Sequence, residues 1–339
     1  MPPYLSWRSG RPLCYVKGGE KNGSILHVNE GDDAPEVDES SPPEAEDIMA
    51  ELKPLKLTPR EKAKAVADIL KALRKKIEPL DDDLCKIYKK FLPEDKPKKG
   101  LQEIKLSSGK FVLIPPKTIE EGKSKRECHY IFGPSGAGKS FKIAAIGKEY
   151  NKLYKSEDRP IWVFSQLDDD KDSLDKLGLT NRIVIDDKLV TDPLPISMFA
   201  KSLVVFDDCD GLTGKIKAAV DTIMNNILTT GRHFDISCIC ANHLGMDHKN
   251  TRLQLSEAHW MTIFTGSCSA SQINYFLSKY VGCDKEEIKR IKKLGGRSVS
   301  ILRQYPQVVV GETKAFVLHS GDDSDSDSDK KPAKKIKDI

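Results

Sequence analysis

The stretch HYIFGPSGAGKSFKIAAIGKEY, residues 129–150, decides the fold. It opens on a short apolar run with Cys128 before it, of the kind a buried strand presents. Gly133, Pro134, Ser135, Gly136, Ala137, Gly138, Lys139 and Ser140 follow in the spacing G-x-x-x-x-G-K-S, and a helical pattern begins directly after them. Each residue type has a physical reason. Glycines let successive backbone N–H groups turn inward onto phosphate oxygens, and the start of a helix adds the positive end of its dipole. Lys139 then reaches the outer phosphates, and the Ser140 hydroxyl is a hard oxygen ligand for magnesium. A strand before and a helix after separate this pattern from a chance glycine turn, so ATP with Mg2+ is the expected ligand pair.

Working outward, short apolar runs at 128–132, 161–165, 183–186, 203–206, 236–241 and 260–264 alternate with helical or polar segments. That alternation is the pattern of a parallel sheet with crossover helices. The expected fold class is therefore α/β, a P-loop NTPase with a doubly wound, mainly parallel sheet. In Leu203–Asp208 four apolar residues form a buried strand whose end delivers Asp207 to the metal, as a Walker B aspartate would, and Asp208 becomes the candidate to orient or deprotonate the attacking water. Two aspartates capping a helix after a core strand are the blander alternative. The strand 236–241 ends in Asn242-His243, where a polar side chain would face the γ-phosphate. Asn242 is the candidate to hold water or sense phosphate there, with His243 as the fallback. Arg232, just before that strand, is either an arginine finger for a neighbouring subunit or an ordinary surface arginine.

The flanks differ from this core. No Lys or Arg occurs between Asn22 and Leu52, and residues 1–50 carry few periodic apolar positions, so they are expected to be a disordered acidic segment. A helical extension is expected over 51–100. Thr58 and Glu61 form a capping box ahead of Val66, Ile69, Leu70, Leu73 and Ile77, and a second apolar stripe, Leu84, Ile87, Tyr88 and Phe91, is stopped by Pro93. Residues 101–126 read as a β-hairpin and linker around Ser107-Ser108-Gly109. The ATPase domain is assigned to 127–320. It includes capping boxes at Ser269/Gln272 and Asp284/Glu287 and closing β-like runs at 297–303, 307–310 and 314–318. Residues 321–339 are an acidic then basic disordered tail. Eight scattered cysteines without a CxxC pair argue against a zinc site and for buried thiols in a reducing compartment. No apolar stretch approaches the roughly 18 residues of a membrane-spanning helix, and no secretory leader is apparent, so the expected location is inside a cell with no membrane partner.

The motif order and the segment GRHFDISCICANH, 231–243, resemble the FtsK/HerA branch of P-loop ATPases, and within it the genome-packaging ATPases of large DNA viruses and virophage-like elements. The resemblance covers about residues 127–320, through EAHWMTIF at 257–264 and KKLGGRSVSILRQYP at 292–306. It implies a ring-forming homo-oligomer that translocates double-stranded DNA, with a capsid or portal-like protein as a further partner. It also implies a second acidic residue as base and, often, glutamine at the strand end, positions that here carry Asp208 and Asn242.

A DNA partner has independent support in Lys285, Lys289, Arg290, Lys292, Lys293, Arg297 and Arg303, enough cations to neutralise several phosphates. A merely solvated lysine-rich helix is the alternative. The function expected from the whole chain is an ATP-hydrolysing motor packaging viral duplex DNA. A helicase-like remodelling ATPase, a small-molecule kinase and a non-hydrolysing nucleotide-binding scaffold are the competing readings. The tail adds a candidate nuclear-import signal at 330–337 and candidate phosphorylation at Ser324, Ser326 and Ser328.

Overall fold

Among the described residues ten short strands line up in one sheet, most of them buried along their whole length, as strands near the centre of a layered sheet are. The computed structural model describes residues 3–30, 48–49, 52, 58–75, 84, 87, 103–114, 126–157, 159–166, 174, 177, 180–246 and 251–318. In chain order the elements are β1 (Tyr4–Ser6), β2 (Arg11–Lys17), β3 (Ile25–Asn29), α1 (Pro59–Lys75), β4 (Glu103–Lys105), β5 (Lys110–Leu113), β6 (Cys128–Phe132), α2 (Lys139–Leu153), β7 (Ile161–Ser165) and β8 (Thr180–Ile183). Apart from a one-turn helix at Lys188–Thr191 and other short helical turns, they continue with β9 (Leu203–Asp207), α3 (Gly214–Thr230), β10 (Ser237–Asn242), α4 (Arg252–Glu257), β11 (Trp260–Ile263), α5 (Ala270–Phe276), α6 (Lys285–Lys292), β12 (Val299–Leu302), β13 (Val308–Val310) and β14 (Lys314–Val317).

The large sheet has the order β4-β14-β13-β12-β11-β6-β10-β9-β7-β8. From β11 to β8 every pairing is parallel, and from β11 to β4 every pairing is antiparallel. The mainly parallel α/β sheet expected from the sequence is thus present, extended by an antiparallel wing. Strand alternation sorts the core into two layers. Ile131, Val205, Ile239 and Ala241 face α2, where Ile143, Ile146 and Tyr150 meet them. Tyr130, Phe132, Phe206, Cys238 and Cys240 face the other way, onto Val220, Ile223 and Ile227 of α3, Leu255 of α4 and Phe276 of α5. Each such aliphatic side chain contributes about 1.5–3 kcal/mol by leaving water.

Three expectations change. The disordered segment assigned to 1–50 contains β1, β2 and β3, which with β5 make a second, antiparallel sheet of order β1-β3-β2-β5. Leu5, Leu13, Val16, Leu26 and Val28 bury its inner face against Trp260, Leu302, Val308, Val310 and Val317 of the antiparallel wing. The acidic stretch 31–47 lies outside the described residues, and its composition had masked the short apolar runs before it. The expected hairpin around Ser107-Ser108-Gly109 is two strands that do not pair: β4 joins β14 of the large sheet, and β5 joins β2 of the small one. The turn crosses between sheets because Leu106 N–H donates to Thr313 O and Phe111 N–H to Glu312 O, tying it to the β13–β14 turn. The run expected at 183–186 begins earlier, at Thr180, and pairing with β7 stops at Ile183. Val184 beyond it is 73% exposed.

The capping boxes at Thr58/Glu61, Ser269/Gln272 and Asp284/Glu287 are all formed. Helix α1 packs Ala65, Val66 and Ile69 with Ile48, Leu52 and Ile87. The rest of the second stripe, Tyr88 to Pro93, and the tail at 321–339 lie outside the described residues. No helix among the described residues is long and apolar enough to cross a membrane.

Candidate functional site

The site forms where three neighbouring parallel strands end. β10 lies between β6 and β9, with Asn242 level with Phe132 and Ala241 level with Asp207. The ladder runs on into the loops, Gly133 N–H donating to Asn242 O at 3.2 Å and Asp208 N–H to Ala241 O at 3.1 Å. The loop after β6, the aspartates after β9 and the turn after β10 are therefore held side by side by backbone bonds. A crevice outside the carboxyl ends of parallel strands is where open α/β sheets bind ligands.

The loop from Gly133 to Ser140 wraps the start of α2. Gly136 at φ 76° and Gly138 at φ 107° occupy the left-handed region, where a side chain would be strained, so the amides can turn toward a common centre. Pro134, Ser135 and Gly136 are exposed, whereas Lys139 is buried. The Lys139 ammonium donates to Gly133 O at 3.0 Å and pairs with an Asp208 carboxylate oxygen at 3.1 Å. Ser140 Oγ donates to Asp207 Oδ2 at 3.3 Å. Alternation explains Asp207: it is in phase with Val205, which faces α2, so its carboxylate emerges beside the first turn of that helix. A buried aspartate and a hydroxyl facing each other are hard oxygen donors, the set that magnesium accepts.

Asn242 is placed differently from the expectation. It is in phase with Cys238 and Cys240, so it points to the opposite face, where its amide donates to Gln254 Oε1 at 2.8 Å and to Tyr130 Oη at 3.4 Å. Burial pushes the Tyr130 phenol up, leaving it protonated at neutral pH and able to donate to Gly245 O at 3.0 Å. Asn242 is a structural pin for the turn after β10. The residue that this turn delivers to the aspartates is His243, whose Nε2 lies 3.3 Å from Asp208 Oδ2 and whose Nδ1 lies 3.2 Å from Asp210 Oδ1.

Arg232 does not join the site of its own chain. It is exposed on the short turn Gly231–Phe234 that leads into β10, at the opposite edge of the sheet from the P-loop, and its Nε lies 3.3 Å from His233 Nε2. Sequence reasoning missed Asp210, Tyr130 and Gln254. Strict alternation along 238–242 was the available signal, but which parity faces the P-loop helix depends on the register of three strands.

The basic run also divides. Arg290 pairs with Glu103 at 3.2 Å and lies over the Phe316 ring at 3.6 Å, and Arg303 donates to the carbonyls of Leu255 and Ser256, so both brace the fold. Lys285, Lys289, Lys292, Lys293 and Arg297 remain exposed.

No protein-family model matches the chain. It is similar to the uncharacterized protein V3 of Sputnik virophage, 37% identical over 233 residues, which is 68% of this chain and 90% of V3. Among solved structures it is similar to the genome packaging NTPase B204 of Sulfolobus turreted icosahedral virus 2 in complex with AMPPCP. Identity is 12%, over 55% of this chain and 97% of that one, at a TM-score of 0.38. It is also similar to the cytoplasmic domain of the type VII secretion ATPase EccC of Thermomonospora curvata, 15% identical over 64% of this chain and 29% of that one, at a TM-score of 0.39.

Proposed function

We propose that this chain, which belongs to the family of the Sputnik virophage protein V3, is an ATPase of the FtsK/HerA branch that hydrolyses ATP to drive viral double-stranded DNA into a capsid, working as a homo-oligomeric ring. The observation that carries the hydrolytic part is the convergence of Lys139, Ser140, Asp207 and Asp208 within hydrogen-bond distance at one strand edge.

The loop amides from Gly133 to Ser140 and the start of α2 cradle the phosphates, and Lys139 offsets charge on their outer oxygens. Ser140 and Asp207 would hold magnesium, which when bound neutralises charge on the triphosphate. Asp208 orients a water for attack on the γ-phosphorus and takes its proton as the bond from phosphorus to the β–γ bridging oxygen breaks, leaving ADP and phosphate. Arg232, remote from its own P-loop, is assigned to the site of an adjacent copy. Exposed Lys285, Lys289, Lys292, Lys293 and Arg297 supply backbone contacts to duplex DNA, suited to movement rather than base readout.

The test is ATP hydrolysis by the purified chain with duplex or single-stranded DNA, beside Lys139→Ala and Asp208→Asn. Duplex DNA is expected to stimulate the wild type, and each variant to lose about 100-fold or more. Turnover that ignores DNA would contradict a motor.

A further inference from the structure

Resting on the ATPase reading above, the geometry points to His243 and Asp210 as a pair of positioning residues that fix the Asp208 carboxylate.

Asp208 sits at φ 53°, in the left-handed region that a residue with a side chain seldom occupies. That backbone turn carries the carboxylate out of the strand line and between two groups. Lys139 Nζ is 3.1 Å from Oδ1, and His243 Nε2 is 3.3 Å from Oδ2. A carboxylate held on one oxygen still rotates about its Cβ–Cγ bond, whereas contacts on both oxygens fix its plane.

His243 can serve only if it is itself held, and the structure holds its ring once and its turn twice. Asp210 Oδ2 accepts the His243 backbone N–H at 2.8 Å, Asp210 Oδ1 faces ring Nδ1 at 3.2 Å, and Tyr130 Oη holds the same turn through Gly245 O at 3.0 Å. With one carboxylate at each ring nitrogen, the ring is held in the line between Asp210 and Asp208. Asp210 in turn lines a cavity of about 70 Å³ shared with Lys217, Asp221, Asn242 and Gln254, beside the start of α3. The chain Asp210–His243–Asp208 thus links the loop after β9 to the turn after β10 and ends on the carboxylate assigned to water.

Neither residue touches the phosphates in this assignment, so the expected signature is a loss in kcat rather than in nucleotide affinity. The experiment uses the full chain and measures kcat, KM, the Kd for ATPγS and Tm for His243→Ala, His243→Gln, Asp210→Asn and the His243→Ala/Asp210→Asn double variant. His243→Ala should lower kcat about 10–100-fold with the ATPγS Kd within about twofold, the size of effect that misplacing a reacting group produces. His243→Gln keeps an amide donor for Asp208 and should recover part of the loss. Asp210→Asn should lower kcat about 10-fold, and the double variant should be no worse than His243→Ala, because both act through one ring.

Wild-type turnover with unaltered variants, losses that multiply in the double variant, or losses confined to KM would each overturn the assignment while leaving the ATPase reading intact. Absence of wild-type turnover would instead remove the ATPase reading, and the positioning role with it. Should His243→Ala fail to fold, the comparison of His243→Gln with Asp210→Asn decides in the same way.

Discussion

Asp207 and Asn242 end adjacent strands, yet pleating sends them to opposite faces, and only Asp207 reaches the P-loop helix. For Asn242 the consequence is a stability role. Its amide satisfies Gln254 Oε1 and reaches Tyr130 Oη in a buried setting. Asn242→Ala leaves those groups without that partner, and a buried polar group so exposed costs about 1–3 kcal/mol. Urea unfolding followed by circular dichroism should show that loss as a lower midpoint with an unchanged slope; an unchanged midpoint would contradict the stability role. At this scale the P-loop was fully legible in the sequence, because its chemistry depends on contiguous residues. The partner of Asp208 was not, because His243 is selected over Asn242 by the register of β6, β9 and β10, which no local pattern encodes.

Among the elements, α2 is flanked on one side by the small sheet. Tyr15 of β2 donates to Glu149 of α2 at 3.0 Å. Lys142, one turn into α2, is partly buried near Cys14, Glu312 and Lys110, and loss of hydration lowers its ammonium to about 8. Above pH 8 the folded protein sheds this proton while the unfolded chain keeps it up to about 10.5. The unfolded state binds more protons in that window, so this contribution to stability rises with pH from about 8 to about 10.5 and its cost is full below 8. Lys142→Met should therefore stabilise by about 1–3 kcal/mol at pH 7, with the gain fading by pH 10. Paired unfolding curves at pH 7 and pH 10 measure it, and an equal effect at both would remove the ionic origin. The parallel strands and the three capping boxes were legible, since both rest on short-range pattern. The small sheet was not: β1–β3 precede an acidic stretch, and their apolar face acquires meaning only opposite Val308, Val310 and Val317, at the far end of the chain.

For the whole molecule, the parallel sheet separates two groups by its own length. Lys139 and the aspartates stand at one edge, and Arg232 stands at the other. If Arg232 completes a neighbour's site, Lys139→Ala and Arg232→Ala should each be inactive alone and regain ATPase activity on mixing, because one copy supplies the arginine and the other the P-loop. No recovery in mixtures that demonstrably co-assemble would remove Arg232 from the mechanism. The outer surface makes a separate prediction. Replacing Lys285, Lys289, Lys292 and Lys293 together by glutamine should flatten the dependence of log duplex affinity on log salt by about 3–4, at roughly 0.9 for each phosphate that is no longer neutralised. Fluorescence anisotropy across a salt series reads that slope directly, and an unaltered slope would place the DNA on another face.

ATP-driven movement along duplex DNA is the central claim, and triplex displacement tests it most directly, since a motor tracking a duplex strips a third strand in its path without separating the two it follows. The wild-type protein should release the third strand with ATP and not with ATPγS, and Lys139→Ala should release none. ATP hydrolysis that proceeds on the same substrate while the third strand stays bound would contradict translocation.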